Sequence, residues 1–462
     1  MLLPFASLAL LLLALVSVIL WSRVSYVWLE KCARLIVLTL PFERLPSLPL
    51  GGATLRFSQL FTLLGFYLLL LLFLKNDSRT LRTKLQPVTW YLLTFLAFAV
   101  PSFFAVTDYP RFFVTMVGTL LAFGACWFVV HFVRDLSKLL RELVGVLFVC
   151  GLFGIYQVAA DFVGFPTTLT LLSETYTKQV FGIARAQGTA LEPLYFAGLL
   201  FFPLIHSFLT NLLPSAQRPA DSRWEKYYAR YALGFFSFFA IALFLTYSKA
   251  ALVLAAGAIG VLLIQATLRR SLGQVWCAFW PLTATLILGS YALFLYFPPA
   301  LTIASNLFEN FVDTLLGASV SSAERSAFFD TGLALLERTP LLGIGSGQYG
   351  VLARPYLEFL GASREQYLIV NNVYLEVWLE FGLLSTLTFA AFLFTLLRKG
   401  WLSVHRYAFD EAPSPTVVLT LTLSLYLLQW LTFSPIFIMP IFILLGLLGR
   451  SLALQDEVLG TK

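Results

Sequence analysis

The chain has 462 residues, 59% hydrophobic and 12% charged, with a formal net charge of +7. A soluble protein carries about 25% charged residues, so this composition excludes a water-facing globular surface and points to a polytopic membrane protein. The cations lie at the ends of apolar segments rather than on one face, which argues against a nucleic-acid partner and for topology and lipid phosphate as their role.

A span needs about 20 apolar residues. In chain order the segments are 3–21, 57–74, 89–106, 111–133, 144–163 and 191–212, then 231–247, 250–268, 275–297, 373–397, 417–433 and 436–452. The expected fold is therefore all-α: a single membrane-embedded domain over 1–462 with about twelve transmembrane helices. Segment 3–21 lacks a basic leader and a small-residue cleavage site, so it reads as a retained span rather than a signal peptide. Residues 34–41 are apolar but too short to span, and are expected at the interface.

Lys and Arg in short loops set orientation. Lys75, Arg79, Arg82 and Lys84 share one loop, and Arg134, Lys138 and Arg141 another. Arg218, Arg223, Lys226 and Arg230 share a third. Arg269 with Arg270, and Arg398 with Lys399 and Arg406, mark two more. These alternate with both termini in the cytoplasm. Arg23, Lys31, Arg34, Arg44 and Arg56 run against the rule, in a long connection assigned to the outer side.

Two long outer segments remain, 164–190 and 298–372. The second is an extracytoplasmic loop expected to hold short helices on the membrane surface, with Phe328, Leu333 and Leu336 sharing a face. Cys32, Cys126, Cys150 and Cys277 form no CxxC pair, so neither a disulfide framework nor a metal site is expected. On this topology His131, His206 and His405 all fall on the cytoplasmic side, His405 within a loop.

Four polar constellations remain, each with two readings. Arg185-Ala186-Gln187-Gly188-Thr189 precedes Glu192-Pro193. A guanidinium beside the first turn of a helix makes an anion site, or it snorkels to headgroups. Lys249, in Tyr247-Ser248-Lys249 between two apolar runs, is a membrane-edge anchor or part of a substrate path. Arg325 can hold a diphosphate through its planar fork, or lie on a solvated helix face. In Asn371-Asn372-Val373-Tyr374-Leu375-Glu376, spacing of four aligns Asn372, Glu376 and Glu380 on one helix face. That face lines a cavity, or Asn371 or Asn372 caps a helix whose dipole favours the acidic residue.

At these residues the chain resembles the O-antigen ligase and polymerase superfamily. The pieces are RAQGTALEP from Arg185, TYSKAALVL from Thr246, SSAERSAFFDTGLALLERTPLLGIGSGQYG from Ser321, and NNVYLEVWLEFG from Asn371. Their order and the large loop before the tenth span agree with that family over roughly residues 90–400. The resemblance implies an inverting membrane glycosyltransferase of the C type. It would work on the periplasmic or extracellular face of a bacterial inner membrane, without cofactor or metal. Its substrate would be a polyprenyl-diphosphate-linked glycan, among membrane lipids and partners of a polysaccharide export pathway.

The usual family form has Arg where Lys249 stands. Ligases of the family carry His where this chain has Asn371, and an amide is no general base at neutral pH. That favours a polymerase over a ligase, and a transporter or accessory protein remains a third reading. The expected catalytic residues are Glu192, Glu376 and Asn371, with Glu192 ahead as base. The expected substrate-binding residues are Arg185, Lys249, Arg325, Asn372 and Tyr374.

Overall fold

The computed structural model describes residues 25–42, 44, 47–50, 53–75, 87–172, 184–212, 227–228, 230–269, 320–357, 368–407, 414–431 and 439–460. The expected spans 3–21 and 275–297, and residues 298–319 of the outer loop, lie outside them. Among the described residues the chain is an all-α polytopic membrane protein with one small hairpin. Seven helices are long and apolar enough to cross a membrane, and three shorter apolar ones accompany them.

In chain order α1 spans Tyr26–Leu38, followed by the hairpin β1 Ser47–Leu50 and β2 Ala53–Arg56. Next come α2 Phe57–Leu74, α3 Pro87–Ala99 with a 3-10 extension Val100–Ala105, α4 Tyr109–Phe132 and α5 Leu136–Phe162. The short α6 Thr167–Thr170 and the 3-10 turn Gly188–Ala190 lead to α7 Pro193–Leu212, α8 Ala232–Phe244 and α9 Lys249–Arg269. The outer loop supplies α10 Val320–Leu336, α11 Tyr349–Leu352 and α12 Arg354–Leu357. Last are α13 Val373–Phe381, α14 Leu383–Tyr407, α15 Pro415–Gln429 and α16 Met439–Gly460.

Local chemistry fixes several starts. Asp108 caps α4 by accepting from the Arg111 amide at 3.1 Å, and Asp135 caps α5 through Lys138 at 2.9 Å. The core runs through α4, α7, α15 and α16. Large apolar side chains such as Phe73, Trp90, Val149 and Phe394 face outward, where hydrocarbon would meet them.

Three expectations are corrected. First, residues 34–38 are the end of a longer helix, α1, with one face packed into the bundle. Leu29, Cys32, Ala33, Ile36 and Val37 follow one helical stripe and are buried in the bundle. Near its start Glu30 pairs with Arg134 at 3.6 Å, and Arg34 Nε donates to Glu142 at 2.8 Å. Beyond its end, Thr189 Oγ1 donates to the Pro41 carbonyl at 2.6 Å. The helix thus runs from the cation-rich end of the bundle toward the opposite end. Lys31 and Arg34 lie with the cations of the α4–α5 connection and not on the assigned outer side.

Second, the expected tenth span 373–397 is two helices. Gly382, at φ +82°, separates them, and a Cβ there would come within 2.5 Å of the Leu341 carbonyl oxygen. The spanning part starts at Leu383 and continues to His405, so His405 is helical. Glu376 and Glu380 belong to α13, outside the span. Third, the buried face of α10 ends in Leu335 and Leu336 with Phe328 packed beside them, while Leu333 is 40% exposed. Cys32, Cys126 and Cys150 are free and buried, and Cys277 lies outside the described residues.

Candidate functional site

The segment before α7 is built into the bundle by neutral groups. Gln157 of α5, fully buried, accepts from the amides of Gln187 at 3.2 Å and Gly188 at 2.7 Å. Its Nε2 donates to the Thr170 carbonyl at 3.1 Å. The ring of Phe196 fills the space between Gly154 and Gly188, and a Cβ on either glycine would come within 2.5 Å of it. Gly188 also holds φ +55°, a conformation glycine adopts without cost.

Arg185 emerges from this loop. Its Nε donates to the Thr246 carbonyl at 2.9 Å, and the Ala186 amide donates to the Leu245 carbonyl at 2.8 Å. The Arg185 motif is therefore stitched to the turn that carries Lys249. That turn places Tyr247 at φ +47° and half-buries Lys249 as the first residue of α9. Burial lowers the Arg185 pKa from its ordinary value; the Glu192 carboxylate opposes that fall, and the Arg325 cation adds to it. Glu192, seven residues on, and Arg325, far along the chain, thus both act on Arg185.

Sequence reasoning missed a fourth member. Arg44 reaches Glu192 at 3.5 Å and lies over the Tyr195 ring at 4.8 Å from its centroid. Its only sequence signal is that it breaks the positive-inside pattern.

The second half of the site is α13. Asn371 holds φ +63°. Asn372 caps the helix, accepting from the Leu375 amide at 3.0 Å and donating to the Leu431 carbonyl at 3.2 Å. Tyr374 donates to the Leu427 carbonyl at 2.8 Å. Both residues engage the end of α15, where Gln429 Nε2 in turn donates to the Leu194 carbonyl at 3.2 Å. That links α13 to the start of α7, two residues past Glu192. Glu376 is buried, with its charge felt at the Tyr349 phenol.

Glu380 has a different task from the cavity face that spacing suggested. Its carboxylate accepts from the amides of Gly347 at 2.8 Å and Tyr349 at 3.4 Å. The charge of Arg111 bears on it, and the Gly345 amide donates to its carbonyl at 3.0 Å. The glycine-rich turn is thereby folded onto α13, with Gly343, Gly345 and Gly347 all at positive φ. Gln348, fully buried, bridges to the start of α4. Its Oε1 accepts from the Thr107 amide at 3.1 Å, the Thr107 hydroxyl at 3.0 Å and the Asp108 amide at 2.9 Å, and its Nε2 donates to the Asp108 carbonyl at 2.9 Å. Tyr349 then donates to the Phe328 carbonyl at 2.7 Å, fixing α10, the helix that carries Arg325.

Arg44 and Arg185 thus both bear on the Glu192 carboxylate, Arg325 bears on Arg185, and the turn that leads to half-buried Lys249 is joined to the Arg185 segment. No curated protein matches the chain. The family described as O-antigen ligase matches residues 234–390, which run from α8 into α14 and take in Lys249, Arg325, Asn371 and Glu376 but not Arg185 or Glu192. With its multi-pass helical bundle and its ordered motifs, the chain resembles the O-antigen ligase and polymerase superfamily.

Proposed function

We propose that the protein is a membrane glycosyltransferase that polymerises oligosaccharide repeat units carried on polyprenyl diphosphate, at the outer face of the bacterial inner membrane. The observation that supports this reading is the gathering of cations beside Glu192: Arg44 at 3.5 Å, and Arg185, held at 2.9 Å on the Thr246 carbonyl of the turn that carries Lys249, feeling the Glu192 and Arg325 charges. A diphosphate leaving group gathers negative charge as the glycosidic bond breaks, and converging guanidiniums in a partly buried site stabilise that charge. The acceptor hydroxyl gives its proton to a carboxylate and its oxygen attacks the anomeric carbon. The bond to the diphosphate breaks on the opposite side, so configuration inverts. Lys249 adds positive charge, and Asn371, Asn372 and Tyr374 border the acceptor.

Glu192 is the preferred base because it stands beside the cations that would hold the leaving group, with Glu376 second. Base catalysis contributes roughly 10²–10⁴-fold, so Glu192→Gln is expected to cut turnover by that order in a purified assay. Near-wild-type turnover in both Glu192→Gln and Glu376→Gln would remove carboxylate base catalysis from the mechanism.

Transfer of finished glycan to lipid A core or another acceptor is the second reading, favoured by the description of the matched family. The glycan profile of a deletion strain separates the two. Loss of long chains with one repeat unit still attached means polymerase, and loss of all attached glycan means ligase. An unchanged profile points to a transporter or accessory role.

A further inference from the structure

We propose that the Pro340-Leu341-Leu342 turn is inserted in the hydrocarbon of the membrane, and that lipid acyl chains are the partner on which the α10–α13 unit is seated. Among the described residues these helices share an apolar core of their own, with Leu335, Leu336, Tyr349, Leu375 and Leu379 inside it. Leu341 and Leu342 belong neither to that core nor to the core of the bundle. They are 66% and 56% exposed. Two adjacent leucines turned outward form a surface that fits an apolar partner.

The position of the turn identifies that partner. The Leu383 amide donates to the Leu341 carbonyl at 3.0 Å, and Leu383 is the first residue of a spanning helix. The turn therefore stands at the level where that span begins. Leu384 and Leu387, three residues apart on one face of α14, are each more than half exposed, so lipid-facing surface starts directly after this contact. Ser385 Oγ donates to the Phe95 carbonyl at 3.4 Å, which packs α14 on α3. The extension of α3 ends a second span, and its Ser102 carbonyl oxygen lies 3.4 Å from a Cβ built at Gly345. Val100 and Phe104 of that extension are also more than half exposed. The loop thus meets two adjacent spans where both end.

The backbone is prepared for that medium. Hydrocarbon offers no hydrogen bonds, so a segment enters it at low cost only with its polar groups satisfied internally. Pro340 has no N–H, and its carbonyl accepts from Trp378 Nε1 at 2.7 Å. The Thr339 amide donates to the Leu336 carbonyl at 3.1 Å, and the Thr339 carbonyl accepts from the Gly343 amide at 3.3 Å. The Ile344 amide donates to the Leu379 carbonyl at 2.8 Å. Interfacial residues stand at the root of the turn: half-buried Trp378, and exposed Arg338 over the Tyr356 ring at 5.8 Å from its centroid. The turn follows directly on α10, so the level of the membrane also helps to set the helix that carries Arg325.

The test uses the full-length protein in nanodiscs of phosphatidylethanolamine and phosphatidylglycerol. A nitroxide is attached at Leu342→Cys, and its relaxation by dissolved oxygen is compared with that by a water-soluble nickel chelate. Oxygen concentrates in hydrocarbon and the chelate in water. Leu387→Cys on the span and Glu337→Cys at the polar root are the references, and labelled wild-type protein gives the background of the native cysteines. The Leu342 label is expected to behave as the Leu387 label does, relaxed more by oxygen than by the chelate, with the reverse at Glu337. Strong relaxation by the chelate at Leu342 overturns the proposal, since the turn then stands in water. Weak relaxation by both probes overturns it as well, because a protein chain then covers the leucines. Where Leu342→Cys does not fold, Leu341→Cys is read in the same way. None of these outcomes depends on the reaction proposed above.

Discussion

Replacing Gln348 by leucine keeps the side chain's bulk and removes four hydrogen bonds, three accepted by Oε1 and one donated by Nε2. A buried polar group left without a partner costs about 1–3 kcal/mol. Thr107 is exposed, so water can take over its amide and hydroxyl. The half-buried amide and carbonyl of Asp108 bear most of the loss, which gives about 2–4 kcal/mol. A second effect follows along the chain. Tyr349 is the next residue and holds α10 through the Phe328 carbonyl, so loosening the turn also loosens the placement of Arg325. Gln348→Leu is therefore expected to lower the denaturation midpoint in detergent and to raise KM for the lipid-linked donor more than it lowers kcat. Unfolding free energy within about 0.5 kcal/mol of wild type, the range of an ordinary surface change, would refute the claim that this side chain pins the loop.

Other outcomes follow from the same geometry. Arg185→Lys keeps a charge but loses the planar fork anchored on Thr246, so KM for the donor should rise about tenfold, measured in a purified transfer assay. Asn371→Val places a β-branched residue at φ +63° and should cost about 1–2 kcal/mol, whereas Asn371→Gly should cost nothing; unfolding titrations compare them. Asn371→His is tolerated at that φ, and a gain of glycan transfer to a non-polymer acceptor would mark a scaffold diverted from ligase chemistry. Gly382→Ala drives a methyl group toward the Leu341 carbonyl oxygen and should destabilise by at least about 2 kcal/mol, read by thermal unfolding.

Hydropathy and cation spacing made the helical bundle legible, because twenty consecutive apolar residues have few other uses. The same method failed where periodicity was short or broken. The stripe Leu29, Cys32, Ala33, Ile36 and Val37 was present in the sequence, but Lys31 and Arg34 interrupt it, and hydropathy averages over such a helix. The hairpin Ser47–Arg56 has a Gly-Gly pair at its centre, a turn signal that a search for spans passes over. The Arg185 and Arg325 motifs stood out as charges at re-entry points. Arg44 did not, since its partner Glu192 lies far along the chain. The anchoring role of Glu380 was hidden for the same reason. Its partners are the amides of Gly347 and Tyr349, more than thirty residues earlier, and no local pattern announces them.

The ring of Phe196, wedged between Gly154 and Gly188, works as a gauge block between a membrane helix and the loop that carries Arg185. An aromatic ring is rigid and of fixed thickness, so it sets the height of that loop above the bundle by shape. The Gln157 hydrogen bonds and the Arg185 bond to the Thr246 carbonyl then hold it at that height. Much of the positioning in this protein therefore rests on neutral groups. A change of charge at Arg44 leaves those neutral contacts intact, so the platform keeps its level while the charge beside Glu192 is altered.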